Sequence, residues 1–257
     1  MLKVRVIPTL LWKDVGLVKG KSFDSWRRVD TVLPAIKVYN LREVDEIILM
    51  DISATKDGRE PDYDSISDFS SECFVPMTVG GGVSDIEHIK NLLRAGADKI
   101  AINSAAYRDP DLVNRASERF GSQCVVVSID CKKTSDGSYS CYSECGTRLE
   151  EVNVTEWAKE MESRGAGELL ITSIENDGTM QGYDIELIQK VAKAVNIPVI
   201  ASGGVGNYQH FVDAIVLGHA SAVAAASIFH FTEQTPLEAK KYMAKNGIPV
   251  RNINTMI

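Results

Sequence analysis

The feature that most constrains this chain is an alternation that occurs eight times. Short β-branched runs at 4–11, 46–51, 75–79, 99–103, 124–130, 168–173, 199–202 and 222–226 are separated by longer amphipathic stretches. The stretches at 30–42, 63–72, 85–95, 109–120, 154–164, 184–195, 208–217 and 236–246 have helical periodicity. The runs are apolar on both faces, as strands covered on both sides must be. Eight such units predict an α/β fold, a parallel sheet closed into a (β/α)8 barrel. No linker interrupts the pattern, so one domain is expected over 1–257.

The chain also repeats itself at an offset of about 120 residues, too long for a solenoid period. Val79-Gly80-Gly81-Gly82-Val83 is echoed by Ala201-Ser202-Gly203-Gly204-Val205, and Asp51-Ile52-Ser53 by Ser173-Ile174-Glu175. Two half-barrels of four units each are expected, roughly 1–121 and 122–257. The first strands align too, but Val125-Val126-Val127-Ser128-Ile129 ends in Asp130, whereas Val6-Ile7-Pro8-Thr9-Leu10 ends in Leu11.

Composition narrows the partners. The net charge of −7 argues against nucleic acid or an anionic membrane as the main partner. Five cysteines, an odd number, read as free thiols in a reducing compartment. The opening MLKVRVIPTL is too short and broken for a secretion signal, so a cytoplasmic location is expected. Cys141 and Cys145 have metal-like spacing but no second pair, and neither a metal nor a cofactor is expected.

In a barrel of this kind the chemistry sits where strands end. The matched turns Gly81-Gly82 and Gly203-Gly204 lack Cβ atoms and precede helices, which suits backbone N–H groups for a phosphate. Asn103-Ser104 and Ala226-Ser227 begin the next turns and add polar donors. Two such sites predict a long ligand, anionic at both ends. Asp130 is the candidate acid/base. Asp51 ends a strand with similar standing; Asp177-Gly178-Thr179 forms a loop at the same face, and Lys19 could reach an anion. At the other mouth Arg5, Glu46, Lys99 and Glu168 start alternate strands, where mutual pairing as a plug is the ordinary expectation.

These segments resemble the cyclase subunit of imidazole glycerol phosphate synthase over essentially the full length. The likeness is carried by Lys13-Asp14, Val18-Lys19-Gly20, Ile102-Asn103, Phe120-Gly121-Ser122-Gln123, Ser128-Ile129-Asp130, Arg164-Gly165-Ala166-Gly167-Glu168 and Asp177-Gly178-Thr179. The resemblance implies a bis-phosphorylated ribonucleotide bound across the top face. It also implies a glutaminase subunit docked at the N-terminal face, with Asp98 at the interface. Arg5, Glu46, Lys99 and Glu168 would then form the ammonia gate. The family's catalytic pair is two aspartates; Asp130 matches the second, and Leu11 stands where the first is expected. That pattern resembles a divergent branch associated with amidation of cell-surface sugars, in which the barrel serves a separate sugar amidotransferase.

Overall fold

In the computed structural model, residues 3–14 and 16–251 are described; residues 1, 2, 15 and 252–257 of the expected domain lie outside them. Strand β1 (Arg5–Lys13) runs into an antiparallel hairpin, β2 (Gly16–Lys21) and β3 (Asp24–Asp30), before α1 (Val32–Leu41). There follow β4 (Ile47–Asp51), α2 (Tyr63–Ser71), β5 (Met77–Gly80), α3 (Ile86–Arg94), β6 (Lys99–Ile102), a short α4 (Ser104–Arg108) and α5 (Asp111–Phe120). The second half has the same order: β7 (Val125–Lys133), a hairpin of β8 (Tyr139–Ser143) and β9 (Arg148–Asn153), α6 (Val154–Ser163), β10 (Glu168–Ser173), α7 (Ile185–Ala194), β11 (Val199–Ser202), α8 (Tyr208–Val216), β12 (Ala222–Ala225), a short α9 (Ser227–Phe231) and α10 (Pro236–Lys245). A single 3-10 turn, Ser122–Cys124, joins the halves.

Eight strands, β1, β4, β5, β6, β7, β10, β11 and β12, pair in parallel, and the β7–β10 pairing closes the barrel. All eight strands expected from the sequence are present. Four hairpin strands come in addition, of which the sequence signals only the Asp136-Gly137 turn between β7 and β8: β2 and β3 extend β1, and β8 and β9 extend β7. Helix starts follow local chemistry. Asp85 accepts from the backbone N–H of Glu87 and His88, Asp184 from Leu187, and Asn207 from His210. Each satisfies a donor that the first helical turn leaves unpaired.

Two cores result. The larger lies between sheet and helices and includes Leu10, Leu49, Val127, Ile171 and Phe211. The smaller fills the barrel: Ile7, Ile48, Ala101, Val126, Leu170, Ile200, Ala222 and Ala224. Neighbours along each strand alternate between the two because side chains alternate across a sheet.

The last helix is tied to the barrel by a buried ion pair. Lys240 Nζ donates to Asp45 Oδ1 at 3.0 Å and to the Glu43 carbonyl at 2.9 Å, while Asp45 Oδ2 accepts from the Val6 N–H at 2.9 Å. Both side chains are at most 2% exposed. Removing one partner strands the other charge, which typically costs about 3–5 kcal/mol. Lys240→Ala should therefore lower stability by about that amount in denaturant unfolding. A loss below about 1 kcal/mol, the range of an exposed pair, would contradict this assignment.

Candidate functional site

The parallel barrel puts every strand start at one mouth and every strand end at the other. At the first mouth four charges close a ring. Arg5 Nη1 donates to Glu46 Oε2 at 2.6 Å and Arg5 Nη2 to Glu168 Oε1 at 2.7 Å. Lys99 Nζ lies 3.0 Å from both Glu46 Oε2 and Glu168 Oε2. Thr78 Oγ1 donates to Glu46 Oε1 at 2.8 Å. Burial pulls the Arg5 guanidinium down, but the Glu168 and Glu46 carboxylates outweigh it and hold Arg5 above its ordinary range. Asp98 is exposed beside this ring, with its carboxylate accepting from the Met77 N–H at 2.8 Å.

Above the ring the inward positions recur at every second residue. Arg5 is followed by Ile7, Thr9 and Leu11, and Lys99 by Ala101 and Asn103. Glu168 leads to Leu170 and Thr172, while β7 contributes Val126, Ser128 and Asp130. The apolar layer of Ile7, Ile48, Val126 and Leu170 thus lies directly above the charged ring. A pocket of about 1160 Å³, continuous with solvent, opens at the opposite mouth. It reaches down to Ala101, Leu170 and Ala224, so its floor belongs to the same apolar cluster as that layer.

The pocket gathers nearly every site residue expected from the sequence. Leu11, Lys19, Asp51, Gly81, Gly82, Asn103, Ser104, Asp130, Asp177, Gly178, Gly203, Gly204, Ala226 and Ser227 all line it. Thr179 does not: its hydroxyl bonds the Asn176 carbonyl at 2.7 Å and serves its own turn. Sequence reasoning missed Thr9, Phe23, Trp26, Cys145 and Thr172. Thr9 and Thr172 were recoverable from the period-2 alternation that places Leu11 and Leu170. Phe23, Trp26 and Cys145 come from the β2–β3 and β8–β9 hairpins.

Several roles differ from expectation. Lys19, expected to reach an anion, is 2% exposed on β2 and lies 2.5 Å from Asp177 Oδ2, so within the protein it is already paired with a carboxylate. The Ser22 N–H donates to the Asp177 carbonyl at 2.8 Å, so the β2–β3 hairpin is fastened to the 177–179 loop. Asp51 Oδ1 accepts from the Ser53 N–H, the Ser53 hydroxyl and the Ala54 N–H, which makes it the organiser of its own turn. Cys141 is buried and faces Cys131 across β7–β8, whereas Cys145 reaches the pocket. The two cysteines with metal-like spacing therefore belong to different surroundings. His230 is half-buried on α9, with its imidazole pushed down by that burial.

The Gly-Gly turns are required for packing as well as for access. Gly81 has φ +103° and Gly204 φ +109°, the left-handed region that glycine alone enters without strain. A Cβ at Gly81 would collide with the Asp51 carbonyl, and one at Gly204 with the Gly182 carbonyl.

The Asp130 carboxyl is held well above its ordinary range. Burial raises it first and the Asp177 charge second; hydrogen bonds from Thr172 and Asn103 oppose them, leaving it at about 7. Asn103 Nδ2 donates to Asp130 Oδ2 at 2.9 Å. A carboxyl at that value can give or take a proton near neutrality. Its folded value lies above the unfolded one, so folding takes up a proton and stability falls as pH rises from about 4 to about 7. Asp130→Asn should match the native protein below that window and exceed it by about 4 kcal/mol at pH 8. A carboxyl resonance titrating near 4, with no pH-dependent gain, would contradict this.

Among the described residues, no helix is long and apolar enough to cross a membrane. Residues 5–235 match the profile of the histidine biosynthesis protein family. Its members are mostly isomerases or cyclases of histidine biosynthesis, built on this barrel. With that match spanning nearly the whole barrel, the chain belongs to the histidine biosynthesis protein family.

Proposed function

We propose that this barrel is the ammonia-receiving synthase subunit of a glutamine amidotransferase. A glutaminase docks at the N-terminal mouth, with Asp98 at the interface. Ammonia enters past Arg5, Glu46, Lys99 and Glu168 and rises to a phosphorylated ligand in the pocket. The observation that carries this reading is the stacking of three layers along one axis: a closed ring of four charges, an apolar layer, and a pocket floored by the same apolar cluster. An apolar layer admits neutral ammonia far more readily than ammonium, whose charge would be desolvated there without a partner. The four charges compensate one another, so the ring is stable when shut and opens when a partner competes for one of its members.

Leu11 separates this chain from ordinary cyclisation. It lines the pocket at the strand end that corresponds, across the repeat, to Asp130. A leucine moves no proton, and loss of a general acid or base typically costs about 10²–10⁴-fold. The ammonia therefore goes to another acceptor, a surface-sugar precursor handled with a separate amidotransferase. One observation favours a second reading, an authentic cyclase that forms imidazole glycerol phosphate and the carboxamide ribotide: Asp130 sits at about 7, poised for acid/base work. A purely scaffolding barrel that only activates the glutaminase is the third.

Two measurements separate them. With ammonium salt and the bis-phosphorylated ribulosyl nucleotide, turnover should be at least about 10²-fold below an ordinary cyclase; a comparable rate would establish the cyclase reading. In the complex with its glutaminase, Lys99→Ala should lower the ratio of glutamine-driven to ammonium-driven amidation about 10-fold, a coupling change of roughly 1.4 kcal/mol. An unchanged ratio would overturn the gate.

A further inference from the structure

The hairpin of each half-barrel is fastened to the other half. The β2–β3 turn crosses from the first half to the second. There the Ser22 N–H donates to the Asp177 carbonyl at 2.8 Å, Ser22 Oγ donates to the Glu175 carbonyl at 3.1 Å, and Lys19 pairs with Asp177. The β8–β9 turn crosses the opposite way. The Glu144 N–H donates to Ser104 Oγ at 3.0 Å, and Cys145 Sγ to the Ile52 carbonyl at 3.0 Å. Phe23, Trp26 and Cys145 line the pocket, so the two straps cover its mouth.

The straps also touch. A Cβ at Gly146 would lie 3.0 Å from Phe23 Cδ2 and 3.1 Å from Ile174 Cδ1. The Phe23 ring therefore rests in a notch that a side chain at 146 would narrow, between the tip of the other strap and the residue just past β10. Both tips are strained alike. Ser22 and Phe23 have φ +50° and +62°, and Glu144 and Cys145 have φ +51° and +56°, left-handed values that side chains disfavour. Strain of this kind persists only while surrounding contacts hold it, and it relaxes when they are withdrawn.

We infer that the two hairpins form one interlocked lid that opens and closes as a unit, with Phe23 in the Gly146 notch as the coupling. Withdrawing the β2–β3 strap pulls Phe23 out of the notch. Lifting the β8–β9 strap removes the wall against which Phe23 rests. Either way the other tip loses a contact that holds its strained backbone. A ligand engaging one half of the pocket thereby steadies the cover over both halves. This holds whatever the pocket binds and does not rest on ammonia passage.

The test is amide hydrogen exchange of the intact protein, read residue by residue by NMR. The Ser22 and Glu144 N–H groups are bonded on opposite sides of the pocket and report one strap each, because exchange follows local opening. Ser104→Ala removes only the acceptor of Glu144, yet it should speed exchange at Ser22 about 10-fold, a coupling of ordinary size. Phe23→Ala should speed exchange at Glu144 by about the same factor, and Phe23→Leu, which half fills the notch, should fall between. In the Phe23→Ala background, Ser104→Ala should change Ser22 by less than about 2-fold, since the contact that carried the coupling is gone. Amides within β7 and β10 should keep native protection in every variant, which separates lid opening from unfolding. Exchange at Ser22 within about 2-fold of native in Ser104→Ala, or an undiminished effect without Phe23, would overturn the inference.

Discussion

The pairing of β7 with β10 closes an all-parallel sheet, and everything at the two mouths depends on that closure. Parallel strands share one direction, so strand starts gather at one end and strand ends at the other. Strict alternation of side chains then selects every second residue for the interior. Arg5, Glu46, Lys99 and Glu168 meet because they are the first inward residues of their strands. Asp130 and Leu11 reach the pocket because they are the last. The intervening inward residues are mainly apolar and offer no side-chain partner to a charge. Closure therefore creates the axis along which a neutral molecule could pass.

The repeat acts on top of this constraint. Each half contributes a strand with a hairpin extension and a Gly-Gly turn packed so closely that a Cβ at Gly81 or Gly204 has no room. The functional differences are laid on that shared frame by a few side chains. Asp130 faces the pocket in one half and Leu11 in the other. Ser104 is met by the Glu144 N–H from a hairpin tip, whereas Ser227 is not paired. Lys19 and Asp177 join the β2–β3 hairpin to the second half. A symmetric scaffold thus holds an asymmetric pocket.

Much of this was legible in the sequence, for identifiable reasons. Strands buried on both faces give unbroken apolar runs, and the eight runs with eight amphipathic stretches leave few alternatives to a closed barrel. The ring of charges was legible because ionic residues that start apolar strands are conspicuous. The hairpin strands were not, apart from the Asp136-Gly137 turn between β7 and β8. β3, Asp24–Asp30, is polar and largely exposed, so it carries no hydrophobic period to detect. Consequently Phe23 and Trp26 were missed, as was Cys145 between β8 and β9, and Lys19, expected to reach an anion, was not recognised as a strand residue. The shift of Asp130 was also hidden, because it arises from burial and from Asp177, 47 positions along the chain. Pairings across such separations exist only once the barrel has closed.

The central claim is that nitrogen travels inside the barrel from the charged ring to the pocket. Its most direct measurement is isotope retention in the complex with glutaminase. Glutamine labelled with 15N in its amide is supplied with a large excess of unlabelled ammonium, and the label in the amidated product is read by mass spectrometry. Passage through the barrel requires the product to keep the glutamine label despite the excess. Dilution of the label to the bulk ammonium ratio would contradict the account, since it would mean that the ammonia had first escaped to solvent.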